Sequence, residues 1–81
     1  MRNLKQITSL TDKANKLLSA ANTSQVKWEE MLRYNVEVAE PNEFTPISDD
    51  KLQFQWFVTQ RIMRSYQVVI NEINQILFLE L

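Results

Sequence analysis

PNEFTPISDD, residues 41–50, decides how this chain of 81 residues folds, because the only two prolines in the sequence, Pro41 and Pro46, stand within six positions of each other here. Proline removes a backbone donor and clashes with the preceding helical turn, so a helix does not continue through this stretch. The residues after it announce a new helix. Ser48 is a good N-cap, Asp49 and Asp50 fall in the first turn, where the helix dipole favours negative charge, and Ile47 with Leu52 has the spacing of a hydrophobic staple. The joint is therefore placed at about residues 40–48, with a helix starting at Asp49.

There is no glycine anywhere in the chain. Glycine is the usual residue where the backbone turns with positive φ, so its absence argues for long elements with few tight turns. Before the joint, Leu4, Ile7, Thr11, Ala14, Leu18, Ala21, Gln25, Trp28 and Leu32 follow alternating spacings of three and four, the seam of an amphipathic helix over most of residues 3–39. Asn22-Thr23-Ser24 prefer caps to helix interiors, so a helix broken at 22–24 and a continuous one both remain open. After the joint, Leu52, Trp56, Thr59, Met63, Tyr66, Ile70, Ile73 and Leu77 repeat the three-four spacing, which makes VVINEINQILFL the end of a helix rather than a strand. Thirty helical residues would be roughly 45 Å long. The expected fold is all-α, a single domain over residues 1–81 formed as a hairpin of two long helices.

Such a chain is short of core. At this size only about 60% of the unfolded surface is buried on folding, and with no cysteine and no histidine neither a disulfide nor the usual zinc sets can staple it. Assembly is the remaining source of stability. The second helix points the same way: Val58, Ile62, Val69, Ile73 and Ile76 form a second apolar row, and Phe54, Phe57, Val68, Phe78, Leu79 and Leu81 extend the apolar surface around the helix. One antiparallel partner helix covers only one stripe. Trp56, Ile62, Tyr66, Val69, Ile73, Ile76, Leu77, Phe78, Leu79 and Leu81 are the candidate interaction residues. Trp28 and Trp56 are expected in apolar surroundings, either as core, one from each helix, or as interface anchors. The amides Gln60, Gln67, Asn71, Asn74 and Gln75 suit a surface partly buried between subunits, or the solvent face.

Charge excludes some partners. The net charge is −1, and residues 1–27 carry +4, residues 28–50 carry −6 and residues 51–81 carry +1. Nucleic-acid binding wants a basic face, and the aromatic set Phe54, Trp56, Phe57 and Tyr66 has only Arg61 and Arg64 beside it. The opposed charge blocks suit either two solvated faces or head-to-tail matching between copies. Nothing approaches the 18 apolar residues of a membrane span, and the start MRNLKQITSLTDK lacks the apolar run of a signal peptide, so synthesis in the cytoplasm is expected. Catalysis has little to work with. Ser48, Ser65 and the threonines have no histidine to activate them, and Glu29-Glu30 and Asp49-Asp50 diverge by about 100° on a helix. The chain reads as no enzyme, with no cofactor, metal or small-molecule substrate.

The stretch IMRSYQVVINEI, residues 62–73, resembles the Leu-Val-Glu-Ala-Tyr-Gln-Glu-Ile run near the end of the basal-body protein that joins the flagellar rod to its ring. Ile62, Met63, Ser65, Tyr66, Gln67 and Val69 take the corresponding places, and Phe54-Gln55 is similar to an earlier Phe-Gln pair. LQF at 52–54 followed by VVINEINQIL at 68–77 is similar in spacing to the last helix of injectisome needle subunits. Together with the two helices and the proline-marked joint, these features resemble the rod and needle subunits of type III export machines, although the family's turn carries Asn-Pro or Asp-Pro where this chain has Glu40-Pro41 and Thr45-Pro46. The resemblance implies a bacterial structural subunit exported into a secretion assembly, with its C-terminal helix towards the lumen. The alternative is a small helical binding module, such as a secretion chaperone, an immunity or anti-defence protein, or a regulator that docks an amphipathic helix on a partner.

Overall fold

The chain forms a helical hairpin. The structure, a computed structural model, describes residues 3–39 and 45–80, so residues 40–44 of the expected joint and Leu81 lie outside it. Helix α1 runs Leu4–Arg33 and passes into a six-residue π-helical segment, Tyr34–Ala39; helix α2 runs Asp49–Glu80. The hairpin is a rod of 62 × 16 × 14 Å, and no strand occurs among the described residues.

The second helix starts where its local chemistry dictates. Ser48 Oγ accepts from Lys51 N–H at 3.3 Å, Ser48 O accepts from Leu52 N–H at 3.1 Å, and Ile47 and Leu52 are both half-buried. The first helix, by contrast, does not break at 22–24. Thr23 Oγ1 donates to Ser19 O at 3.0 Å, one turn back, and Ser24 is buried between the helices. Hydroxyls that would otherwise compete with the helix are thus occupied inside it.

At the joint, Asn35 does the work of a strand residue. Its Nδ2 donates to Ile47 O at 2.8 Å, while its Oδ1 accepts from Ile47 N–H at 2.7 Å. The wider π turn brings neighbouring Tyr34 and Asn35 both against the incoming chain, and Tyr34 OH reaches Thr45 O at 3.5 Å. Asn35→Ala removes both amide bonds and should cost about 1–3 kcal/mol. Asn35→Asp should cost a similar amount, because a carboxylate oxygen would face the Ile47 carbonyl. Urea unfolding of the two variants checks this, and equal stability to wild type would mean the amide bridge is not formed.

The seam between the helices keeps a three-four spacing but not the expected set of residues. Along α1 the row turned to α2 is Ile7, Leu10, Ala14, Leu17, Ala21, Ser24, Trp28, Met31 and Asn35; along α2 it is Leu52, Gln55, Thr59, Ile62, Tyr66, Val69, Ile73 and Ile76. All are buried or half-buried, and both rows repeat every seven residues, as in an antiparallel coiled coil. Leu4, Thr11, Leu18, Gln25 and Leu32, expected in the first seam, are exposed, as are Trp56, Met63 and Leu77 from the second. Trp56, at 42% exposure, is therefore not a core residue, whereas Trp28 is half-buried. Ser24 faces Thr59 and Asn35 faces Ile47, so each step towards the N-terminus on α1 is matched by a step towards the C-terminus on α2. This register sets Ala14 against Val69 and Ile7 against Ile76. Small residues at Ala14, Ala21 and Ser24 let the two backbones approach along the middle of the rod.

Candidate interaction face

Two features stand out on this frame, one inside the seam and one beside it. Inside, Ser24, Gln55 and Thr59 form a polar node. Gln55 Nε2 donates to Ser24 Oγ at 2.8 Å and lies 3.3 Å from Ser24 O; the two hydroxyls of Ser24 and Thr59 are 2.6 Å apart; and Thr59 Oγ1 donates to Gln55 O at 3.2 Å. With Thr59 donating to the carbonyl, Ser24 must be the donor between the hydroxyls, and the three residues close a ring of hydrogen bonds across the hairpin. No buried side-chain nitrogen or oxygen among the described residues lacks a partner. The node is polar, small and sealed, so its effect is on pairing. A single satisfied polar layer in an apolar seam fixes register, since sliding either helix would bury its groups unpaired.

Beside the seam lies the row left out of it. A seven-residue repeat places Leu4, Thr11, Leu18, Gln25 and Leu32 one position around α1 from the core, and Trp56, Met63, Ile70 and Leu77 one position around α2. Because the helices are antiparallel, these two flanks open on the same side of the hairpin. Shallow grooves there bear this out: Leu18 and Gln25 line one together with Met63, Leu32 another with Trp56, and Gln25 a third with Trp56 and Gln60. The outer margins of this face are Thr8, Asn15, Asn22, Glu29 and Val36 on α1, and Gln53, Gln60, Gln67 and Asn74 on α2. Among the described residues its only charges are Glu29 and Asp49, both at the joint end. Lys13, Lys16, Lys27, Glu30, Lys51, Arg61 and Glu72 project from the opposite side by the same repeat. Surfaces meant for water carry charge; the cores of protein interfaces are depleted of it.

The sequence-derived interaction residues divide accordingly. Trp56 and Leu77 lie on the uncharged face, while Ile62, Tyr66, Val69, Ile73 and Ile76 lie in the seam under it, Val69 only 3% exposed. Phe78 and Leu79, at 74% and 75% exposure, project away from the face, to the back of α2 and to its charged side. Leu81 is outside the described residues. Of the amides, Gln60, Gln67 and Asn74 border the face, and Asn71 and Gln75 do not. Leu4, Thr11, Leu18, Gln25 and Leu32 on α1, with Met63 and Ile70 on α2, are members of the face that the three-four spacing places in the seams and not among the interaction residues. Their signal was present: on α1 the row is free of charge at all five of its positions.

Trp56 stacks edge-on to Phe57, with ring centroids 5.6 Å apart and planes at 68°. This pairing turns Phe57 to the outside of α2 and holds the indole at the rim of the face. Among the described residues there is no cluster of three carboxylates or other ligands able to hold a metal ion, and no helix is long and apolar enough to cross a membrane. No protein-family model, curated protein or solved structure matches the chain.

Proposed function

We propose that this chain is a non-enzymatic structural subunit that works by assembling through one face of its hairpin. The observation that carries this reading is the uncharged face itself: two apolar flanks, contributed by both helices and bordered by amides, on a rod whose charges are gathered elsewhere. Light scattering on the purified chain tests it. A mass that is a multiple of the chain mass is expected; a monomer at every concentration up to about the millimolar range would remove self-assembly and leave the binding-module alternative, in which the face docks a helix of another protein.

A second reading has its own support. Phe78 and Leu79 stand almost fully exposed at the end of α2, away from the uncharged face, and a subunit surrounded by copies on several sides, as in a type III export rod or needle, would cover them. Removal of residues 78–81 separates the two. It should abolish assembly if the chain builds such a rod, and leave the assembled mass unchanged if the uncharged face alone carries the contact.

A further inference from the structure

We infer that the uncharged face is covered by a second copy of this chain lying antiparallel, so that two hairpins form a four-helix bundle with the joint of each at the open end of the other. The inference rests on the assembly reading and names the partner in it. Three observations point to a second copy in this orientation.

The first is size. From the Leu4–Leu77 layer to the Leu32–Asp49 layer is 28 residues of helix, about 42 Å at 1.5 Å per residue, and the rod is 16 Å wide. That footprint, close to 700 Å² in projection, falls in the range of roughly 600–1,000 Å² per partner of a standard interface. The second is shape. Leu18 and Met63 sit near mid-length, and a two-fold axis crossing the rod there sets Met63 against its own copy. Trp56 then lies over Ile70 of the second copy, and Gln25 over Thr11. The largest side chain of the face meets a layer with a small partner, as interdigitating layers require.

The third is charge. Among the described residues, 22–39 and 45–62, the joint half of the rod, hold four bases and five acids, a balance of −1; residues 3–21 and 63–80 hold four bases and three acids, a balance of +1. Antiparallel stacking lays the acidic half of each hairpin on the basic half of the other. Parallel stacking lays α1 of each hairpin on α2 of the other and so brings Glu29 of one copy towards Asp49 of the other, the charges of the face among the described residues, and like charges placed together suppress that pairing.

Cysteine cross-linking tests the orientation, since the chain has no cysteine of its own. Under mild oxidation Met63→Cys should form a covalent dimer by itself. Trp56→Cys should not, its two copies being about 21 Å apart along the axis, yet it should cross-link to Ile70→Cys when the two variants are mixed. A dimer that instead cross-links Leu18→Cys to Met63→Cys would show joint-on-joint stacking and overturn the inference while leaving the assembly reading intact, as would a filament; a strict monomer would overturn both. Met63→Glu gives a second readout. Met63 is already part-exposed in the single hairpin, so helix content should hold, while dimer association should weaken on the order of 100-fold or more because each copy buries an unpaired carboxylate. Unchanged association would overturn the inference.

Discussion

Val69→Asp is expected to leave most of the chain unfolded at 25 °C, whereas Val68→Asp, one residue earlier, is expected to shift stability by less than about 0.5 kcal/mol. Val69 is 3% exposed and faces Ala14 across the seam; Val68 is 56% exposed. The aspartate at 69 would forfeit the burial of a valine, about 1.5–3 kcal/mol, and would bury a carboxylate with no partner, roughly 3–5 kcal/mol more. A chain of this length has only about 4–12 kcal/mol in all. Circular dichroism and urea titration measure both. If the two variants behaved alike, α2 would be rotated from the orientation described, and the uncharged face would be the hairpin's own core.

The polar node gives the second large effect, and its sign depends on how much of it is replaced. Ser24→Ala should cost about 1–3 kcal/mol. It removes the closer of the two acceptors of Gln55 Nε2, leaving the Ser24 carbonyl at 3.3 Å, and takes from Thr59 Oγ1 the hydroxyl that donates to it, and Thr59 is buried at 5% exposure. Replacing all three, as Ser24→Ala with Gln55→Leu and Thr59→Val, should recover that loss or exceed it, because an apolar layer of similar shape has nothing left to satisfy. The gain should come with a loss of uniqueness. Without the ring of hydrogen bonds the two seven-residue repeats can pair one repeat out of step, and amide NMR spectra should show more than one set of resonances. A triple variant less stable than Ser24→Ala alone would mean that the node contributes net stability and not register.

Much of this architecture is written in local chemistry. Ser48, Asp49 and the prolines mark the joint through capping and steric rules that act within a few residues, and the structure starts α2 there. The rotation of the two helices is not legible in the same way. On α2 the rows through 52, 55, 56 and 53 are all uncharged over three repeats, an arc wider than one helix can cover. Any pair of neighbouring rows within that arc shows three-four spacing, so periodicity alone cannot tell which part the hairpin uses and which part it leaves open. Polarity misleads further, since Ser24, Gln55 and Thr59 are seam residues that a hydrophobic pattern passes over, and they are legible only once seen facing each other. The π segment is equally hidden: nothing in YNVEVA distinguishes it from ordinary helix, and it follows from where Asn35 must reach.

The amide bridge between Asn35 and Ile47 also sets the order in which the chain can find its shape. It closes a loop of a dozen residues, whereas the Ser24–Thr59 contact spans 35 and the layer of Leu4 and Leu77 spans more than 70. Made cold, the outermost contact would carry the largest closure entropy; made after the bridge, it extends an existing pair of arms by one turn at a time. Folding is thus directed as a zipper from the joint outwards, and the Ser24–Thr59 node stands about a third of the way along it. A pair of arms that began closing out of step would arrive there with hydroxyls and an amide facing methyl groups, and would have to reopen before most of its length was committed. The node proofreads the closure while correction still costs little.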